Sequence, residues 1–195
     1  MVAAPFLNYE PALRAKPAPK TTFLARLHEP YFERTVGHYF SHQNTPFKLT
    51  SAAHPAALQN GRVIWLAHPV GALYFHHGVR LHRQLFLNAL DRIYQHPVLE
   101  TRLMSAGRAV LTHKADQRRF VAHLLYASPQ QRGRCTVIED LPTLIDVPVA
   151  LRVPQKIIQV DLPVHGTTLT MSRRARVVRV TVPRVHCHEV VVFNY

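Results

Sequence analysis

Gly61-Arg62-Val63-Ile64-Trp65-Leu66-Ala67-His68-Pro69 holds an uninterrupted apolar run, Val63 to Ala67, with a glycine turn signal before it and a proline after it. Continuous rather than alternating apolarity predicts a strand buried on both faces, as in a parallel sheet. Downstream, Leu81, Leu85, Phe86, Ala89, Leu90 and Ile93 recur at three- and four-residue steps between Arg80 and Gln95, with Arg83, Asn88, Asp91 and Arg92 mostly on the other side. That spacing predicts an amphipathic helix ended by Pro97. Strand then helix is a half-unit of an α/β domain, and one strand cannot make a parallel sheet, so its partners must lie elsewhere.

Upstream, Phe23, Leu24 and Leu27, with Tyr31 and Phe32 beyond Pro30, predict a short helix, a proline break and a second short helix through Phe40. Ser41 to Pro46, together with the stretch to Gly61, reads as a long irregular connection of the kind that often carries contacts. Residues 1–22 hold scattered prolines and basic residues without periodicity and form an extended or poorly ordered leader.

Beyond Pro97 the pattern turns to short Val-, Leu- and Thr-rich segments separated by turns. Strands are expected at 101–105, 109–114, 120–127, 135–139, 148–153, 157–162, 167–171, 177–182 and 186–193, a series that suggests an antiparallel β-sandwich. Turn chemistry at Ala115-Asp116-Gln117, Pro129 to Gly133 and His165-Gly166 supports hairpins between them. The chain is α+β by this reading, divided into the leader 1–22, a partial α/β segment 23–97 and a β-sandwich 98–195.

The 195 residues are 47% apolar, enough for a buried core, and the net charge is +13. A basic balance invites a nucleic-acid reading. Residues 1–97 carry ten Lys or Arg against four acids and residues 98–195 fourteen against seven, so the excess is spread rather than focused. The densest cluster, Arg173, Arg174, Arg176 and Arg179, has valine neighbours instead of the interleaved aromatics of single-strand binders, and reads as a solvated strand edge. No apolar stretch reaches the length of a membrane helix and no secretory signal opens the chain, so the expected compartment is the cytoplasm, although a signal upstream of Met1 would not be seen. Cys135 and Cys187 are expected as free, half-buried thiols.

The run from Phe23 through His28-Glu29-Pro30-Tyr31-Phe32-Glu33-Arg34 and Gly37-His38-Tyr39-Phe40-Ser41-His42-Gln43-Asn44 to Pro46 resembles the trimerisation-type domain of beta-galactosidase-like glycoside hydrolases. Gly61 to Pro69 with Leu73-Tyr74 is similar to the closing strand and helix entry of the α/β domain of that family. Arg118 to Ala127, Val137 to Asp140, and Val182 to His188 with its apolar tail are similar to the family's C-terminal β-domain. The resemblance implies a flavodoxin-like, amidotransferase-like segment followed by a sandwich, without the catalytic TIM barrel that precedes them in the family. It implies no catalytic residue here, no cofactor, and partners that are a second copy of the chain or the missing barrel, with carbohydrate reached through the parent enzyme. Tyr31 to Pro46 and the helix from Arg80 to Gln95 are the expected contact surfaces, and His42 and Gln43 the loop residues to test near a sugar, against a plain helix-capping role.

The residues themselves give little other chemistry. A glycosidase needs two carboxylates about 5–10 Å apart, and the adjacent pair Glu139-Asp140 would point to opposite faces of a strand. A strand-end cap or a partner for arginines such as Arg134 is the plainer role. His186 and His188, two apart on an expected strand, share a face that could hold zinc but lack an evident third ligand, and His76, His77 and His82 diverge around a helix, so no metal is assigned. No nucleophile elbow or phosphate loop occurs. Trp65, among apolar neighbours, reads as core. A carbohydrate- or polyanion-binding sandwich is the alternative function, to be recognised by aromatics exposed on one face.

Overall fold

The computed structural model describes residues 5–42 and 44–195. Two compact units divide the chain, Met1–Gln95 and His96–Tyr195, and each stands by itself here.

In the first unit, β1 (Thr22–Arg26), β2 (Pro55–Asn60) and β3 (Val63–Leu66) form an antiparallel meander in that order. Asn60 pairs with Val63, which leaves Gly61-Arg62 as a two-residue hairpin loop, and Gly61 takes φ +56°. Glycine adopts that angle without a Cβ clash, so the hairpin turns at this point. Helix α1 (Val70–His77) follows β3 and ends at Gly78, whose left-handed backbone at φ +63° directs its N–H to the Tyr74 carbonyl. Helix α2 (Arg80–Ile93) completes the unit.

Two expectations for this unit are corrected, and a third, the leader, gains detail. Residues 22–26 are a strand and 31–40 are bends and irregular backbone, not two helices. The three- and four-residue apolar spacing yields to pairing of Phe23 with Leu58 and Thr22 with Gln59 across β2, which satisfies the backbone groups a short helix would have left open. The run at Val63 is a strand, yet its partner is antiparallel β2 and Val63 is 67% exposed; the parallel sheet of a flavodoxin-like segment is not present among the described residues. Finally, the leader is extended but tied down: Leu13 N–H donates to the Ala67 carbonyl at 2.9 Å and Arg14 pairs with Glu29 at 3.1 Å. The core of this unit is small, with Ala57, Leu58, Ala67, Val70, Leu73 and the polar His82 buried.

The second unit is a β-sandwich. One sheet orders β11 (Thr167–Thr168), β10 (Gln159–Leu162), β14 (His188–Asn194), β6 (Arg119–Tyr126) and β5 (Gly107–Lys114); the other orders β12 (Ser172–Arg174), β13 (Val177–Val185), β9 (Leu144–Arg152) and β4 (Leu99–Thr101). The chain passes from one sheet to the other at β4–β5, at β6–β9 by way of β7 (Gln130–Arg132) and β8 (Cys135–Val137), at β9–β10, at β11–β12 and at β13–β14. All pairings are antiparallel. Alternation does the sorting: Phe120, Ala122, Leu124 and Tyr126 of β6 meet Val147, Val149 and Leu151 of β9 and Val178, Val180 and Val182 of β13 in one buried cluster, while the odd residues of β6 face outward. β7 and β8 form a separate hairpin. The strand expected at 101–105 is not formed, since β4 ends at Thr101 and 102–106 are irregular or turn; the other expected strands have counterparts with shifted ends, and β7 and β12, rich in Gln and Arg, are additional.

Candidate functional site

Between β1 and β2 the chain makes an arm. Its stem is a ladder, with Leu27 N–H to His54 O at 3.2 Å, Ala52 N–H to Leu27 O at 2.7 Å, Lys48 N–H to Glu29 O at 2.8 Å and Tyr31 N–H to Pro46 O at 3.0 Å. Near the far end Thr35 and His38 exchange both backbone hydrogen bonds around Val36-Gly37, and the Phe32 and His38 rings stack with centroids 4.1 Å apart. Ordered backbone thus carries apolar side chains into solvent: Tyr31, Tyr39, Phe40, Phe47 and Leu49 are exposed and Val36 is 98% exposed. His42 sits on this arm, exposed, its ring 5.3 Å from that of Phe40. Gln43 lies outside the described residues. Among the described residues no helix precedes His42, so a helix-capping role for it falls away.

The helices show the same bias. Phe75 of α1 is 84% exposed, and Leu81, Phe86 and Leu90 of α2 are exposed as well. The buried centre of the α2 stripe is His82, which the apolar pattern did not flag. Its Nε2 donates to Asn8 Oδ1 at 3.1 Å, and its Nδ1 is buried without a partner. His68 Nδ1 donates to the Glu10 carbonyl at 2.9 Å, and the His77 ring packs 4.8 Å from that of Tyr9. Three histidines therefore hold the leader. Burial lowers the pKa of His82, helped by the positive charge that His77 and His68 can carry, and burial lowers that of His68 against the opposing hydrogen bond to Glu10.

In the second unit the polar residues are mostly engaged with one another. Glu139 Oε2 accepts from Arg132 Nε at 2.9 Å, so its arginine is Arg132 rather than Arg134. His186 and His188 do not share a strand face: His186 lies in the turn before β14 and bonds Thr143 at 3.2 Å, whereas His188 Nε2 meets His123 Nδ1 at 3.0 Å. The two rings of that second pair lie within 13° of parallel with centroids 5.3 Å apart. One nitrogen must donate and the other accept, a hydrogen bond rather than a chelate. Strand alternation on β6 and β14 could have revealed it, because His123 and His188 both leave the core face. Glu189 is 3% exposed and accepts from His165 Nε2 at 2.8 Å and from Val190 N–H at 2.9 Å. Cys135 and Cys187 are free, and exposed rather than half-buried. Trp65 is half-buried opposite Leu58. Among the described residues no three His, Cys, Asp or Glu side chains gather as a metal site, and no helix is long and apolar enough to cross a membrane.

No family model and no curated protein matches the chain. Among solved structures it is similar to alpha-L-fucosidase isoenzyme 2 from Paenibacillus thiaminolyticus, with a TM-score of 0.83 and 34% identity. The likeness covers 90% of this chain and 27% of that one. It is a likeness to part of a glycoside hydrolase, and the enzyme named is a fucosidase where the sequence resemblance had pointed to beta-galactosidases.

Proposed function

We propose that this chain corresponds to the non-catalytic C-terminal region of a glycoside hydrolase, in which the first unit serves assembly and the sandwich supports a catalytic barrel that lies outside these residues. The observation that carries the reading is 34% identity over 90% of this chain to 27% of a fucosidase. The outward apolar side chains of the first unit support the assembly role, since contiguous exposed apolar surface commonly marks an interface. The occupant is a second copy of the chain or the barrel, and carbohydrate is met through the parent enzyme. The finer reading of residues 23–97 as the end of a flavodoxin-like, trimerisation-type domain rests on the sequence resemblance, and it requires parallel strands from outside residues 5–95. The name of the neighbour moves the expected sugar from galactose toward L-fucose. Two unpaired, exposed cysteines suit a reducing compartment such as the cytoplasm.

Ultracentrifugation across concentration, with hydrolysis of aryl fucosides and galactosides assayed on the same sample, tests this. Self-association without hydrolysis is expected, weakened by Phe75→Ser with Leu81→Ser, both exposed positions. A monomer that hydrolyses either glycoside overturns it. The alternative, a sandwich that binds neutral sugar by stacking, loses ground on a specific observation: Phe120, Tyr126 and Phe193 are buried and Tyr195 is half-buried, so the second unit offers no exposed aromatic platform among its described residues.

A further inference from the structure

We propose that the outer face of the four-stranded sheet, around Arg152, Arg174 and Arg179, binds a linear polysaccharide that carries sulfate or carboxylate groups. Register puts the three arginines together. Val177 of β13 is directly opposite Arg174 of β12 on one side and Arg152 of β9 on the other, and Arg179, two residues along β13, lies opposite Ser172 and Ala150. Directly opposed residues share a face, and alternation places this one away from the core, which takes Val178, Val180, Val149 and Leu151. With strands about 4.8 Å apart, the Arg152 and Arg174 backbones stand roughly 10 Å apart across Val177, and Arg179 is roughly 7 Å further along. Val177 is only 7% exposed between them.

These charges have no ion-pair partner among the described residues, and Arg152 Nε is buried without a partner. Glu100 stands on the same face, opposite Ala150, and is likewise in no ion pair. Three like charges at this spacing repel, which costs stability unless an anion settles among them. Guanidinium forks match the paired oxygens of sulfate and carboxylate.

A polysaccharide suits the face better than other polyanions. Without an exposed aromatic in the second unit the face lacks the rings on which single-strand binders stack unpaired bases, and a broad sheet face does not enter a duplex groove as a helix or a two-stranded ribbon does. A stiff saccharide chain also loses less conformational freedom on a rigid sheet than a flexible acidic peptide. The face is open at its edge, because β12 is the last strand of the sheet. The inference does not depend on the assembly role, which concerns surfaces of the first unit.

The test is titration of the full chain with dextran sulfate, polygalacturonate and neutral dextran over a range of salt. The chain is compared with Arg174→Ser/Arg179→Ser and with a charge-matched control, Arg132→Ser/Arg134→Ser. The face variant should weaken charged-polymer binding about tenfold or more and flatten the salt slope by roughly two, with the control close to the parent and neutral dextran unbound. Binding of one charged polymer alone identifies sulfate or uronate as the recognised group. Because Arg174 and Arg179 are exposed the fold should survive; if it does not, Arg174→Lys/Arg179→Lys keeps the charge but loses the forks, and should bind at least threefold more weakly. The proposal is overturned by equal loss in the control, by face variants that bind like the parent, by no binding of either charged polymer, or by duplex DNA or polyglutamate binding more tightly than both.

Discussion

The two units spend their aromatic residues in opposite directions. In the first, Tyr9, Tyr31, Tyr39, Phe40, Phe47, Tyr74, Phe75 and Phe86 are exposed and none of Phe23, Phe32 or Trp65 is fully buried; in the second, Phe120, Tyr126 and Phe193 all sit in the core. A sandwich whose large side chains close on one another carries its own stability, since burial of apolar area is the main favourable term. The first unit instead buries only a few aliphatic side chains, Leu73 the largest, and one histidine. Its backbone is nonetheless ordered, held by the meander and by hydrogen bonds to the leader. Surfaces that are ordered but uncovered are what an interface needs before its partner arrives.

The sharpest way to break this contrast is matched truncation. Phe193→Ala removes a fully buried ring from the sandwich and should cost about 3–5 kcal/mol. Phe75→Ala in the first unit should change stability by less than about 0.5 kcal/mol in the isolated chain. Urea midpoints measured alongside amide exchange of β6 and β14 distinguish the two; a large loss from Phe75→Ala would mean that Phe75 belongs to the core of the first unit. Next in size is His165→Ala. It leaves the Glu189 carboxylate buried with the Val190 N–H as its remaining partner, so a loss of about 1–3 kcal/mol is expected. An unchanged midpoint would show that water reaches Glu189 and that the end of the sandwich is open.

Acid should act on the first unit. His82 and His68 have lowered pKa values when folded, so the folded unit takes up protons less readily than the unfolded chain, whose histidines titrate near 6.5. Stability is therefore complete above about pH 6.5, falls as pH drops through the interval down to the folded values, and levels off beneath them. A single group contributes a slope of at most about 1.4 kcal/mol per pH unit. Trp65 is the only tryptophan and lies in the first unit, so its fluorescence in urea at pH 8 and pH 5 reads that unit alone. His82→Gln should flatten the difference. A midpoint that rises on acidification would contradict the burial of His82.

Legibility followed the same division. In the sandwich, alternation is a local signal that also states which side is the core, and the strands from Gly107 to Asn194 could be read directly, apart from β7 and β12, where Gln and Arg mask the pairing. In the first unit an apolar run at Val63 to Ala67 signalled that cover is wanted, but not from which side or in which strand direction. β2 was lost because Pro55-Ala56-Ala57-Leu58 has no β-branched residue, and without it β1 looked helical. The hydrogen bond from His82 to Asn8 joins residues 74 positions apart, which no local pattern encodes; for His123 and His188, 65 apart, alternation gives the outward face of each strand but not that the two strands pair. His42 could be singled out as a loop residue; its place on an exposed aromatic arm could not, because the arm exists only once β1 finds β2.

The smallest expected effect lies within the second unit. Glu139 and Arg132 are bonded at 2.8 Å, but both side chains are about half exposed, on the β7–β8 hairpin and the segment after it rather than in the core. An exposed pair gains little, since water screens the attraction and two long side chains must be held in place, so Glu139→Gln should shift stability by no more than about 0.5 kcal/mol. It should also leave glycoside hydrolysis by this chain where it was, because the Glu139 carboxylate is engaged by Arg132 and its neighbour Asp140 is adjacent in sequence rather than set across a sugar from it. A loss of 2 kcal/mol or more, well beyond what an exposed pair supplies, would mean that the hairpin is welded into the sandwich and that the second unit draws on surface charge as well as on its aromatic core. Any hydrolysis abolished by this substitution would move catalysis into the unit proposed as a support.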